Sequence, residues 1–280
     1  MGILQSLIIV CILSLISSSS DTLAQQPYEG VAINNACANT DNSTSILGYS
    51  CNGVNPTCQS YLIFRSQTPY YTVSSIAALF GSDPSQLAQI NSVSQTWSFQ
   101  TNQEVIIPVN CSCSGPYYQA NTSFNEQFGV FNVAYNTYQG LSTCQPIQNQ
   151  NSISIFPTND DQTITVPLRC ACPTKNQSDS GIKYLLTFPI QQGDSISSVS
   201  AQFGAKTMET LAANELPNTN NPTPTLLPLT TLLVPLRNPP TGSQLISPPT
   251  SSSSPSSQCK IWVYVVIAAA SFISFNSMRM

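Results

Sequence analysis

The sequence predicts an α+β fold of three tandem strand–helix–helix–strand modules tied by disulfides. Three observations predict it. The ending VIIPVNCSC at 105–113 returns as ITVPLRCAC at 164–172 and, without cysteines, as TLLVPLR at 231–237. Apolar triplets at i, i+3 and i+7 precede each ending: Val73, Ile76 and Phe80; Phe131, Ala134 and Tyr138; Ile196, Val199 and Phe203. That spacing marks one face of a two-turn helix. An asparagine stands 11 residues beyond each aromatic, at Asn91, Asn149 and Asn214, with Pro108, Pro167 and Pro235 a further 17, 18 and 21 residues on.

Taken in order, the chain opens on ILQSLIIVCILSLI, an apolar run too short to span a bilayer, followed by serines and Thr22-Leu23-Ala24. Residues 1–24 read as a secretory signal peptide. A secreted chain has no use for the myristoylation pattern of Met1, Gly2 and Ser6, which is set aside. A cysteine-rich segment at 25–59 leads to modules at 60–110, 114–169 and 181–237. In the first, Gly81 stops the leading helix. Asp83, Pro84 and Gln86 then supply an N-cap, a first-turn proline and a capping-box partner for the second helix, whose apolar side is Leu87 and Ile90. In the third, YLLTF at 184–188 is rich in strand formers, Gly193 makes the turn, and Asp194 or Ser195 caps the next helix. The two strands of each module are expected to pair antiparallel.

Pro, Ser and Thr dominate 238–258, the composition of a stalk. The last segment, 259–280, contains 15 apolar-run residues from Ile261 to Phe275. A helix of that length covers about 22 Å, against a hydrocarbon core of about 30 Å. A short membrane span, a GPI-attachment signal after the small residues at 251–257, and a span cut short all stand open, with Arg279 arguing against the second.

Composition narrows the chemistry. No histidine is present, which removes the commonest general base and the commonest metal ligand. A net charge of −4 with only 8 Lys+Arg argues against a nucleic-acid surface. With 7% charged residues, the surface is solvated by Ser, Thr, Asn and Gln. Such a surface suits neutral polar ligands, and equally a glycosylated exterior, for which Asn42, Asn110, Asn121 and Asn176 are sequons. Eight cysteines lie between Cys11 and Cys259: Cys37, Cys51, Cys58, Cys111, Cys113, Cys144, Cys170 and Cys172. In an oxidising compartment they imply bridges, with 105 connectivities open. Within each CxC the two side chains share one side of a strand, so each is placed to bridge outward. Zinc ligation is the alternative, at a spacing shorter than zinc sites favour. No cofactor is expected.

Thr187 to Ser195, TFPIQQGDS, running on through Ile196, Val199, Phe203, Leu211 and Asn214, resembles the LysM motif. Three such modules separated by CxC pairs look like the ectodomain of plant LysM receptor-like kinases. CNG at 51–53, CQSYLIFRS at 58–66, GLSTCQ at 140–145 and GIKYL at 181–185 look like the branch with an inactive kinase. The resemblance covers residues 25–237. It implies the bridges Cys111–Cys170, Cys51–Cys113 and Cys58–Cys172, leaving Cys37–Cys144.

It also implies binding of N-acetylglucosamine oligomers, such as chitin fragments or lipochitooligosaccharides, in a shallow groove between the loop after a module's first strand and the loop before its last. The middle module is the implied site. Its loops hold Asn125, Glu126, Gln127, Phe128 and Gly129 on one side, and Asn149, Asn151, Ser152, Ile153 and Ile155 on the other. This module departs from the motif in lacking a Gly-Asp turn and in having a shorter first loop. Gly193 and Asp194 of the third module rank behind it. As a receptor at the plasma membrane with an extracellular ectodomain, the chain would signal through a partner LysM receptor kinase, since the kinase residues have no sequence here to occupy. No catalytic function is assigned. A hydrolase would need paired carboxylates, and the one adjacent acidic pair, Asp160-Asp161, reads as a solvated loop. A soluble or wall-associated glycan-binding or structural protein, or a truncated product of a receptor kinase gene, is the alternative reading.

Overall fold

The computed structural model describes residues 37, 44–126, 129–151, 162–217 and 225–245. The expected signal peptide and C-terminal apolar segment lie outside these residues. In chain order the elements are α1 (Thr44–Leu47), β1 (Tyr49–Ser50), β2 (Thr57–Arg65), α2 (Val73–Phe80), α3 (Pro84–Ile90), β3 (Glu104–Ser114) and β4 (Tyr117–Glu126). A π-helix (Asn132–Thr137) leads to α4 (Cys144–Asn151), β5 (Gln162–Arg169), α5 (Lys175–Asp179), β6 (Tyr184–Pro189), α6 (Ile196–Gln202), α7 (Thr207–Ala213) and β7 (Thr231–Leu236).

Within each module the first and last strands pair antiparallel: β2 with β3, β4 with β5, β6 with β7. The modules are not separate beads. A turn at Gly115, φ 63, carries β3 straight into β4. β2 also runs parallel to β6 through Tyr61↔Leu186 and Leu62↔Thr187. One sheet results, ordered β1-β4-β3-β2-β6-β7, with β5 also on β4. Because side chains alternate along a strand, the central β2 feeds two cores. Leu62 and Phe64, with Val105 and Ile107 of β3, pack against α2 and the middle module. Tyr61 and Ile63, with Ile106, pack against Phe188, Val199 and Phe203 of the third module. Modules this small bury too little apolar surface to stand alone, and a strand buried on both faces lets them share it.

The recurring ending has a specific structural meaning. The Asn91 amide accepts from the Ile106 backbone N–H (2.8 Å) and donates to the Ile106 carbonyl (2.8 Å), pairing with the edge of β3 that faces away from β2. Its N–H₂ also reaches the Leu87 carbonyl at the end of α3 (2.8 Å). Asn214 makes the same three bonds to Leu233 and Thr210. Pro108 and Pro235 follow two residues after the paired position, where the next outward N–H would otherwise lack a partner.

In the middle module the residue in this role is Asn151, not Asn149. Asn151 bonds the Thr165 N–H (2.8 Å), the Thr165 carbonyl (2.7 Å) and the Ile147 carbonyl (2.7 Å), with Pro167 two residues beyond. Asn149 is exposed on α4. The reason lies upstream. Where the other modules have an α-helix, this one forms a π-helix, followed by left-handed Gln139 (φ 56) and Gly140 (φ 84). Residues 139–143 separate Tyr138 from α4, where only 81–83 separate Phe80 from α3, and this longer turn displaces the asparagine by two positions. The π-helix rotates the apolar face: Val133, Ala134 and Tyr138 are buried, whereas Phe131 is 36% exposed, contrary to the i, i+3, i+7 expectation.

The helix ends follow their sequence signals. Gly81 closes α2 at φ 61, Asp83 caps α3 by accepting from the Gln86 N–H, and Ser195 rather than Asp194 caps α6. The bridges are Cys37–Cys144, Cys51–Cys113, Cys58–Cys172 and Cys111–Cys170. All eight sulfurs are consumed, so neither CxC offers thiolates to zinc. Cys111–Cys170 joins the closing strand of the first module to the end of the second. At the same boundary Phe80 stacks edge-on against Tyr138 (5.6 Å), whose hydroxyl donates to the Leu79 carbonyl (3.1 Å).

The stretch at 238–245 is packed rather than stalk-like. Pro240 is buried, a 3₁₀ turn spans Gly242–Gln244, and Leu245 joins the third-module core. Gly242 lies against the Asn91 backbone so closely that a Cβ there would collide. Just before it, Arg237 makes two bonds to Glu209 of α7 (2.8 and 2.7 Å), tying the end of β7 to that helix. These bonds hold the Glu209 carboxyl below its usual 4.5.

Two predictions follow from these contacts. Asn151→Ala leaves the Thr165 peptide groups and the Ile147 carbonyl without partners and is expected to cost about 2–3 kcal/mol; Asn149→Ala is expected to stay within about 0.5 kcal/mol. Denaturant unfolding of the two variants measures the difference. For Glu209, the folded pKa lies below the unfolded one, so its contribution is present above about 4.5 and fades as pH falls through the depressed folded value. Glu209→Gln is therefore expected to cost under about 1 kcal/mol at neutral pH, the pair being partly exposed. That gap should close as unfolding is repeated down to about pH 3.

Candidate functional site

The described part of the middle-module groove comprises the end of β4 and the end of α4. Asn125 is exposed near the end of β4, and its Oδ1 accepts from the Thr163 hydroxyl across the strand pair (2.9 Å). Glu126 closes β4. Gly129 is buried at φ 87, a left-handed conformation that suits glycine, and its carbonyl accepts from the Val133 N–H as the π-helix begins. Asn149 is exposed near the end of α4. Asn151 does not, because its donor and acceptor are committed to β5 and α4. Gln127, Phe128, Ser152, Ile153 and Ile155 lie outside the described residues.

The third module's Gly193 and Asp194 serve the frame. Gly193 turns at φ 95; Asp194 accepts from the Gln191 N–H (2.7 Å) and lies 3.8 Å from the Arg65 guanidinium. Arg65 is buried at the end of β2, where it also pairs with Glu104 (2.8 Å), donates to the Pro189 carbonyl (2.9 Å) and lies over the Phe188 ring (5.0 Å). This one side chain cross-links the first and third modules.

The corresponding loops of the first module carry a feature the sequence reading passed over. The loop after β2 and the loop before β3 are bonded together: Phe99 N–H to the Tyr71 carbonyl (2.7 Å), Val73 N–H to the Trp97 carbonyl (3.1 Å) and a bridge between Thr72 and Ser98. On these bonded segments Tyr71 is 44% and Trp97 is 47% exposed. Burial pushes the neighbouring Tyr70 phenol up, so it remains a neutral hydroxyl at physiological pH. Exposed aromatic faces beside neutral polar groups suit the apolar face of a sugar ring. The available signal was Trp97 itself, a tryptophan in an otherwise polar loop.

The described residues contain no cluster of three or more metal-ligating side chains. Three exposed sequon asparagines, Asn110, Asn121 and Asn176, lie on β3, β4 and α5, while Asn42 lies outside the described residues.

Comparison with known proteins matches the three modules one by one. The NFP/LYK LysM1 domain matches residues 57–114, the LYK3/4/5 LysM2 domain residues 117–169, and the LYK4/5 LysM3 domain residues 184–236. Protein LYK5 of Arabidopsis thaliana is 41% identical over 244 residues, covering 81% of this chain and 36% of LYK5. Protein LYK2 of the same plant is 27% identical over 226 residues, covering 80% of this chain and 32% of LYK2. The chain thus spans about a third of the length of these curated relatives. A solved structure, the ectodomain of a receptor like kinase, shares the fold with a TM-score of 0.55 at 21% identity, covering 68% of this chain and 96% of that one. With all three of its modules matched in order, the chain belongs to the LysM family of the NFP/LYK receptor type.

Proposed function

We propose that this protein is a cell-surface LysM receptor component that binds N-acetylglucosamine oligomers and signals through a partner LysM receptor kinase. The observation that carries the reading is the ordered trio of NFP/LYK-type LysM modules held in one sheet. A surface with few charges and many amides and hydroxyls supports a neutral, hydrogen-bonding ligand. Secretion, N-glycosylation at the exposed sequons and anchoring through the C-terminal apolar segment belong to the same proposal. So does the role of binder rather than catalyst.

The oligomer is assigned to the middle module, with Asn125 and Asn149 as its described contacts. A second reading is favoured by exposure of Tyr71 and Trp97, which would place the sugar on the first module.

Calorimetry of the secreted chain with chitin oligomers tests both. Saturable heat that falls about tenfold in affinity for Asn149→Ala, roughly the loss expected of a truncated contact, supports the middle module. The same loss for Trp97→Ala instead moves the site to the first. No heat and no competition with any oligomer would remove the ligand assignment altogether. Co-precipitation from membranes with and without oligomer tests the partner, and recovery of no kinase in either condition counts against signalling.

A further inference from the structure

The third module is joined to the others differently from the way they join each other. Every bridge among the described residues closes at or before Cys172, ahead of β6. The first two modules are stapled, whereas the third is held by noncovalent contacts. Its seam with the first module is short. β6 meets β2 over two residue pairs, Tyr61↔Leu186 and Leu62↔Thr187. Beside them the Ser60 hydroxyl donates to the Leu185 carbonyl (2.8 Å), and Tyr184 lies edge-on to Tyr61 (5.6 Å). Past the end of β2, Glu104 bonds Arg65 and accepts from the Gln202 amide of α6 (2.6 Å). Toward the second module, Thr231 meets the Tyr49 hydroxyl (2.9 Å) and Arg169 (3.0 Å).

Residues 238–245 cross the seam with the first module. They follow directly on Arg237, which is fixed to Glu209 of the third module. Pro240 is then buried, and Gly242 rests backbone against backbone on Asn91, at the end of α3 in the first module. Leu245 packs on the core that Tyr61, Ile63 and Ile106 of the first module share with Phe188, Val199 and Phe203 of the third.

The way this strap is held sets it apart from the rest of the fold. Among the described residues its hydrogen bonds are all internal. Thr241 N–H donates to the Gln244 side-chain carbonyl (2.8 Å), Gln244 N–H to the Thr241 carbonyl (3.0 Å) and Leu245 N–H to the Gly242 carbonyl (3.1 Å). Its grip on the modules is apolar contact and close fit alone. Lifting the strap therefore breaks no hydrogen bond and leaves no peptide group of either module unpaired, which is the expensive part of most local openings. Pro239 and Pro240 stiffen its connection to β7, so the turn docks or releases as one piece. Segments held in this manner open at the low end of a protein's range of local stabilities.

We propose that residues 238–245 form a latch across the seam between the first and third modules. Closed, it fixes the third module; lifted, it lets the β2–β6 seam open, with the third module moving as a unit while the bridged pair stays in place. The sequence runs on from Leu245 into the Pro- and Ser-rich stretch to 258. A partner or a pull acting on that stretch reaches the seam through the latch. The proposal is independent of which module takes a ligand.

Hydrogen exchange of the full disulfide-bonded chain, read amide by amide by NMR, tests this with two variants. Gly242→Ala places a methyl group against the Asn91 carbonyl and drives the latch off. Leu245→Ser removes the apolar anchor and leaves the backbone contact in place. Each is expected to speed exchange about fivefold, the scale of losing part of one apolar contact, at the amides of β2 and β6 that face each other. Amides between β4 and β5, and those between β6 and β7, should keep their rates. Unchanged exchange at the seam overturns the proposal, because the strap is then passive packing. A rise of equal size in all three modules, or between β6 and β7 as much as at the seam, also overturns it, since the segment would then stabilise the fold in general. Leu245→Ser decides the matter alone should Gly242→Ala not be secreted.

Discussion

The outer edge of each module's closing strand is the constraint on which the rest of this structure depends. At Ile106, Thr165 and Leu233 the strand has a neighbour on one side only, and the peptide groups on the other side point toward the module's own helices. Buried peptide groups must be paired. A primary amide carries one acceptor and two donors side by side, so a single asparagine completes an N–H and a C=O and still reaches the end of its own helix. Proline two residues on removes the next outward donor. The carbonyls of Pro108 and Pro167 are then met by the hydroxyls of Ser82 and Ser142. The threefold ending in the sequence is this one solution used three times. Gln139 applies it once more, at the edge of β2 that faces away from β3, by pairing with both peptide groups of Arg65.

Closing the edges this way leaves strand faces free for packing. Alternation along β2 and β3 sends neighbouring side chains into different cores, so the first module supports the second on one face and the third on the other. The cystines act at the same boundaries. They link the ends of β3 and β5 and anchor the start of β2, restricting the unfolded chain as well as joining modules. Beyond Cys172, among the described residues, the third module is held by packing, ion pairs and hydrogen bonds alone.

Much of this was legible in sequence because it depends on local chemistry. Gly81, Asp83, Pro84 and Ser195 mark helix ends through backbone conformation and side-chain caps, and the structure uses them there. The middle module was the exception. Counting 11 residues from Tyr138 assumes the same turn between the two helices in every module, whereas residues 139–143 separate Tyr138 from α4 and only 81–83 separate Phe80 from α3. Asn149 and Asn151 are chemically identical, so only the register of β5 against α4 tells which of them the frame uses. The groove assignment suffered accordingly, losing Asn151 to the frame. At 238–245 composition misled in another way, because proline and serine can pack when a surface is offered to them.

By itself the sequence determined the α+β class, the number of modules, the position of most strands and helices, and a neutral polar character suited to sugars. These are properties of periodicity, capping and composition, which act over a few residues. Tertiary structure alone decided that the modules share a single sheet, that Arg65 joins the first module to the third, and that residues 238–245 return to the first module at Asn91. Those residues lie far apart in the chain, and no pattern within a repeat encodes which partner its outer surface will meet. That is settled only when the alternating faces of β2 find their cores and the bridges fix the result.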